Sequence, residues 1–174
     1  MTLIGIAGSG QLDPSDPRWT LAEQIGRGLV DAGFRIATGG LGGVMAAAAR
    51  GARSSPRATG ADVIGLLPGL VGNAANPWVD IPVPTGLGHA RNLLIARCDA
   101  LVAIGGGAGT LSEVAMAWVH DRHIIAMRVD GWSGRLADTR LDERRRFDDQ
   151  ASDVVHGADT AEEVVALLQR LLPR

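Results

Sequence analysis

The chain has 174 residues, a formal charge of −2 and a hydrophobic fraction of 46%, which indicates one globular domain over residues 1–174 and argues against a nucleic-acid partner. It has no apolar run of roughly 18 residues and no signal-peptide flanks, so we expect a cytoplasmic protein without a membrane partner. All 17 basic residues are arginine, which excludes a lysine Schiff base and therefore a pyridoxal-phosphate-dependent lysine decarboxylase.

Apolar runs that alternate with amphipathic or alanine-rich segments give the predicted secondary structure. Strands are predicted at residues 3–7, 34–38, 62–67, 100–104, 124–127 and 154–155. Helices are predicted at residues 19–32, 44–53, 85–98, 111–120 and 160–172. Residues 68–84 are predicted to be irregular, with one extended piece at 78–81. This alternation predicts an α/β fold, a Rossmann-like doubly wound parallel sheet with helices on both faces.

A polar connection is predicted at residues 131–150, and it contains five arginines and four acidic residues between positions 135 and 148. Such a charge cluster is typical of a solvated loop, and a mobile flap is the alternative. Trp118 lies on the apolar face of the helix before this connection. We expect its side chain to be in the core or in a dimer contact.

Three of the predicted strands run directly into glycine-rich loops, at residues 8–10, 39–43 and 105–109. Glycine allows backbone N–H groups to converge on an anion, and the N-terminus of the following helix adds favourable partial charge. The loops therefore predict a phosphate site, although tight turns without a ligand would need the same residues. The predicted ligand-binding residues are Gly8, Ser9, Gly40, Gly42, Gly43, Gly106, Gly107, Gly109 and Thr110.

An NAD site is disfavoured, because the first loop lacks a third glycine and the second strand ends without an acidic residue. Glu113 lies in the first turn of the helix after the last loop. Its carboxylate could accept hydrogen bonds from ligand hydroxyls, as on a sugar, or could simply favour the helix dipole. No metal site is predicted, since Cys98 is the single cysteine and the four histidines are scattered.

The glycine motifs carry a family resemblance. Residues 106–113, GGAGTLSE, resemble the PGGxGTxxE signature of the Lonely Guy family of cytokinin riboside 5′-monophosphate phosphoribohydrolases, with Gly105 in place of proline. Over residues 2–130 the chain is more similar to their relatives, the molybdenum cofactor carrier proteins. The shared patterns are GGLGGVM at 39–45, IGLLPG at 64–69, Asn76-Pro77, PTGLGHARN at 84–92 and GGGAGT at 105–110.

The resemblance implies two functions for one site. In the hydrolases the residues at the positions of Arg91 and Glu113 are catalytic, and the reaction cleaves the bond between base and ribose 5-phosphate. In the carriers the loops would bind molybdenum cofactor without chemistry, with Arg91 as counter-charge. Asn92 replaces a lysine of the hydrolases, and with Gly105 it favours the carrier.

The resemblance also implies a homodimer or homotetramer and, for a carrier, molybdoenzyme partners. No cofactor is required for chemistry; the expected ligand is molybdenum cofactor or a nucleoside monophosphate. A nucleotide sensor or interaction module on the same fold remains a third hypothesis.

Overall fold

The computed structural model describes residues 2–149, 151 and 153–172. Seven parallel strands form one sheet in the order β4-β3-β2-β1-β5-β6-β7. The strands are β1 (Leu3–Gly8), β2 (Arg35–Thr38), β3 (Val63–Leu67), β4 (Ile81–Pro84), β5 (Ala100–Ile104), β6 (His123–Met127) and β7 (Val155–Ala158). The predicted parallel α/β sheet is therefore confirmed.

Helices cover both faces of the sheet, and a separate hydrophobic cluster lies under the helices of each face. They are α1 (Pro17–Asp31), α2 (Val44–Arg53), α3 (Asn92–Ala96), α4 (Ala108–Val119), α5 (Trp132–Leu136) and α6 (Ala161–Leu171). Helices α1, α2 and α6 bury their apolar residues in one cluster, and α3 and α4 bury theirs in the other. In β5 Val102 faces the first cluster and Leu101 the second, as the two-residue period of a strand requires.

The strand order reverses at β1, which pairs with β2 on one side and with β5 on the other. In doubly wound sheets the ligand crevice lies at the carboxyl ends of the strands at this reversal. The glycine loops that follow β1 and β5 are therefore placed at the expected ligand crevice.

Two predicted elements between residues 68 and 98 differ from the structure. The predicted helix at 85–98 is instead a 3-10 turn (Gly88–Arg91) followed by the short α3. Gly86 and Gly88 have positive φ angles, which an α-helix cannot use, so no α-helix forms at the start of this segment. Residues 81–84, predicted to be mostly irregular, form β4. Pro82 and Pro84 are tolerated there because β4 is an edge strand.

The prediction of a solvated loop at residues 135–148 is wrong for Arg146. Its side chain is fully buried, its guanidinium lies 3.4 Å from the centroid of the Trp118 ring, and its Nε donates to Asp153 Oδ1 at 2.9 Å. Arg140 pairs with the same carboxylate at 2.7 Å. These contacts fix the segment against the C-terminal end of α4, where Trp118 is a core residue as predicted.

Among the described residues, no helix has the length and apolar character needed to cross a bilayer. The same part of the chain contains no group of three or more histidine, cysteine, aspartate or glutamate side chains placed to hold a metal ion.

Candidate functional site

A cleft of about 270 Å³ lies at the carboxyl ends of β1 and β5. Its walls come from the loop after β1, from α2, from the turn before α3 and from the first turns of α4. It is lined by Ile6, Ala7, Gly8, Gly10, Leu41, Met45, His89, Arg91, Asn92, Gly107, Gly109, Thr110 and Glu113. Six of these are predicted site residues: Gly8, Arg91, Gly107, Gly109, Thr110 and Glu113. The fold therefore brings these six residues together around one cleft, and their role in ligand binding stays a prediction.

The first turn of α4 presents backbone donors to the cleft. Gly107 is the N-cap residue, and its carbonyl accepts the first helical hydrogen bond, from Leu111 N at 3.0 Å. The N–H groups of residues 108–110 consequently have no acceptor within the helix. Gly107 and Gly109 are exposed, so an anion can approach these donors, and the helix dipole favours its negative charge.

Arg91 adds a buried positive charge beside this turn. The residue is 9% exposed, and its Nη1 lies 3.4 Å from Glu113 Oε1. Its Nε is buried and has no hydrogen-bond partner among the described residues. A β-carbon at Gly39 would collide with the guanidinium, so this glycine makes room for Arg91. The arginine thus retains hydrogen-bonding capacity at the edge of the cleft.

Glu113 is buried in the cleft at a cost to its charged form. The residue is 5% exposed, and burial raises the pKa of its carboxyl to about 7, although nearby Arg91 acts to lower it. Burial also lowers the pKa of Arg91, which Glu113 acts to raise. The single contact of 3.4 Å does not compensate both groups for lost hydration. The ion pair therefore contributes little to the stability of the fold.

The loop after β2 is held in shape by hydrogen bonds with Thr38 and Asn76. Gly40 has a φ angle of +72°, and its N–H donates to Thr38 Oγ1 at 3.0 Å. Asn76 clamps the loop, because its N–H donates to the Gly40 carbonyl at 2.8 Å and its Nδ2 to the Leu41 carbonyl at 2.9 Å. Asn76, which belongs to the Asn76-Pro77 pattern shared with the carriers, therefore positions the Leu41 wall of the cleft.

Two serine hydroxyls accept hydrogen bonds from the backbone amides that follow β5. Ser9 Oγ accepts from Gly106 N at 3.1 Å, and Ser133 Oγ accepts from Gly105 N at 2.7 Å. Ser133 is fully buried and also donates to the Met127 carbonyl at 2.7 Å. Ser133 is not among the predicted site residues, since a lone serine in a polar connection gives no sequence signal.

The remaining predicted ligand-binding residues have structural contacts around the same loops. A β-carbon at Gly43 would collide with the Ser9 carbonyl, and one at Gly106 with the Thr110 side chain. Gly42 is exposed beside Gly10. The geometry concentrates the available donors on residues 107–110, while Ser9, Gly40, Gly43 and Gly106 shape the loops. Their assignment as ligand contacts stays a prediction.

Asn92 connects the two helices that border the cleft. Its Nδ2 donates to Ser112 Oγ at 3.0 Å and to the Gly109 carbonyl at 3.4 Å, and Ser112 Oγ donates to the same carbonyl at 2.6 Å. A neutral amide at position 92 therefore stabilises the first turn of α4 from the side of α3.

Comparison with known proteins identifies relatives of this chain. Residues 1–165 match the model of the SLOG cluster4 family. An uncharacterised protein of Archaeoglobus fulgidus is 36% identical over 126 residues, which span 72% of this chain and 79% of that protein.

Two solved structures resemble the fold along its whole length. The molybdenum cofactor binding protein from the phototrophic bacterium Rippkaea orientalis is 32% identical, with a TM-score of 0.79 over 98% of this chain and 97% of that one. The molybdenum cofactor carrier protein from Chlamydomonas reinhardtii is 29% identical, with a TM-score of 0.79 over 100% of both chains. The carrier-type resemblance inferred from the motifs is confirmed.

Replacing Glu113 by glutamine should make the ligand-free protein more stable at pH 8. From the ordinary value of 4.5 up to about 7, the unfolded chain releases the Glu113 proton while the folded chain keeps it, so wild-type stability falls over this window. The glutamine of Glu113→Gln does not ionise, so this variant does not lose stability over the same window. Its free energy of unfolding should equal that of the wild type at pH 4 and exceed it by about 3 kcal/mol above pH 7.

Urea unfolding at several pH values measures this difference. The exposed Glu143→Gln variant should follow the wild-type curve. A Glu113→Gln variant that is less stable than wild type at pH 8 would mean that the ion pair with Arg91 is a net stabilising contact, contrary to our interpretation.

Proposed function

Because this chain belongs to the SLOG cluster4 family, whose model matches residues 1–165, we propose that it is a molybdenum cofactor carrier that holds the cofactor phosphate at the first turn of α4. The names of the structural neighbours support a cofactor-binding role. The N–H groups of residues 108–110 would supply backbone donors, and Arg91 would supply the counter-charge. The cleft is the ligand site of this proposal.

The observation that carries the proposal is the combination of free helix donors with an incompletely bonded arginine. Helix N-termini attract anions generally, but here a guanidinium that is nine-tenths buried lies beside the turn with its Nε unpartnered among the described residues. Leaving such a group unsatisfied is costly, and a phosphate oxygen would satisfy it. The phosphate group of a small molecule, either the cofactor or a nucleotide, would therefore complete the hydrogen bonding at this site.

Molybdenum would enter as part of the cargo and would need no ligand from this chain. The oxygen and sulfur atoms of the cofactor already coordinate the metal, so protein histidine or cysteine ligands are unnecessary. The proposal involves no further cofactor. The chain would carry its ligand in the cytoplasm and deliver it to molybdoenzymes.

Gly107→Asp should greatly reduce the retention of molybdenum cofactor by the purified protein. A side chain at Gly107 meets open space, and an aspartate at the N-cap favours the helix, so the variant should fold normally. Its carboxylate would occupy the anion position and lower affinity at least about tenfold. Gly69→Asp, which also points into open space and lies outside the cleft, is the matched control.

Bound cofactor can be measured by molybdenum content and by fluorescence of the oxidised pterin after gel filtration. The proposal predicts retention by wild type and Gly69→Asp and loss in Gly107→Asp. Equal retention by all three proteins would place the phosphate elsewhere.

A second candidate function is hydrolysis of nucleoside 5′-monophosphates, and the contact of Arg91 with Glu113 in the cleft favours it. In this reaction the N-glycosidic bond breaks, water supplies the new anomeric hydroxyl and a proton to the base, and ribose 5-phosphate is released. An ionised Glu113 would stabilise the positive charge that develops at the anomeric carbon, while Arg91 orients the phosphate. Asn92 and Gly105, which differ from the hydrolase signature, make carriage the first choice.

Incubation with AMP and with a cytokinin ribotide, followed by chromatography for free base, separates the two functions. A carrier should release no base above the rate of a buffer control. Base release by the wild type that disappears in Glu113→Ala would instead establish the phosphoribohydrolase.

Homo-oligomerisation would bury an apolar surface on α3 and α4, which pack against each other. Leu93, Leu94, Met116 and Val119 are exposed there, beside a trough of about 560 Å³ between the helices. Clustered aliphatic side chains on neighbouring helices are typical of a protein interface. A second copy of the chain is the occupant that the resemblance implies.

The double variant Leu94→Glu with Val119→Glu should shift the protein from a dimer or tetramer to a monomer, because it buries charge at the interface. Light scattering coupled to gel filtration measures the mass. Leu70→Glu, at a more exposed leucine outside this surface, should leave the mass unchanged. A wild-type monomer, or a double variant that keeps the wild-type mass, would contradict the proposed interface.

A further inference from the structure

We propose that the cleft binds its anion together with one proton: neutral Glu113 donates a hydrogen bond to an oxygen of a phosphate-type dianion, and loss of this proton releases the ligand. This inference rests on the proposed function, because it concerns the same anion at the first turn of α4. Glu113 is then a hydrogen-bond donor to the ligand, and the anion binds only while this carboxyl group is protonated.

The charges that face Glu113 leave few alternatives. Among the described residues that line the cleft, only His89, Arg91 and Glu113 have titratable side chains. Both His89 and Arg91 come from the turn before α3. The loops after β1 and β2 and helix α2 contribute uncharged residues, namely Gly10, Leu41 and Met45. Arg91 is therefore the one permanent cation among these lining residues.

An anion in the cleft would have to share this cation with Glu113. Arg91 Nη1 already contacts Glu113 Oε1 at 3.4 Å, and both residues are more than nine-tenths buried. Glu113 lies one helical turn after Thr110, so an anion at the first turn of α4 would be a near neighbour of its carboxyl group. Two negative charges this close in a poorly hydrated cleft repel each other strongly.

Protonation of Glu113 resolves this conflict. The neutral acid removes one negative charge, leaves Arg91 to the ligand and turns an acceptor into a donor. Burial already raises the pKa of this carboxyl to about 7 without a ligand, and a neighbouring anion raises it further. Anion binding above pH 7 therefore takes up a proton.

A protonated Glu113 also explains how a nucleotide-like ligand can be held without cleavage. A neutral acid cannot stabilise positive charge at an anomeric carbon in the way a carboxylate does. The same residue can thus serve binding in its protonated form and would support hydrolysis only in its ionised form.

Sulfate is a suitable probe, because it stays a dianion between pH 5.5 and pH 9 while phosphate monoesters titrate near pH 6. Titration of the ¹⁵N-labelled full chain with sodium sulfate at constant ionic strength gives its dissociation constant from the amide shifts of Gly107 and Gly109. Above pH 7 the wild-type constant should rise by up to about tenfold per pH unit.

Glu113→Gln should bind sulfate with one affinity from pH 7 to pH 9, since an amide donates a hydrogen bond and does not ionise. Glu162→Gln, at an exposed glutamate in the first turn of α6, should keep the wild-type pH profile. Sulfate that binds at this turn with a level affinity from pH 6 to pH 9, or a Glu113→Gln variant that keeps the pH dependence, would overturn the proton-linked role while leaving the anion site intact. Absence of binding at every pH would overturn both this inference and the proposed function.

Discussion

The structure depends on the close approach of three glycine loops around Ser9. The Ser9 carbonyl accepts from Val44 N at 2.9 Å, and its hydroxyl accepts from Gly106 N. A β-carbon at Gly43 would collide with that carbonyl. One residue after β1 therefore ties the loops after β2 and β5 together. The hydrogen bond of its hydroxyl with Gly106 N brings the start of α4 next to the end of β1, where the cleft forms.

The cleft combines this stable framework with side chains that are poorly compensated. Ser133, Asn76 and Asn92 give the loops well-formed hydrogen bonds, whereas Arg91 and Glu113 are buried with one long contact between them. Proteins commonly accept such local cost at sites that bind or react. The difference between the satisfied framework and the unsatisfied pair is the physical basis for locating the ligand here.

Sequence patterns predicted the strand–helix alternation and the place of the glycine loops, because apolar periodicity and glycine both report local backbone requirements. They could not separate glycines that pack, such as Gly43, from those that leave donors open, such as Gly107, since both roles demand the same residue type. The buried Arg146 also escaped prediction. Its partners Trp118 and Asp153 are brought together only by the tertiary fold, and local charge density indicated solvent instead.

The most direct test of the account is a crystal structure of the chain soaked in inorganic phosphate. We expect the anion within hydrogen-bond distance of the backbone N–H groups of residues 108–110 and of the Arg91 guanidinium. Phosphate bound only at the loop of residues 39–43, or a first turn of α4 without an anion at saturating concentration, would contradict the central claim.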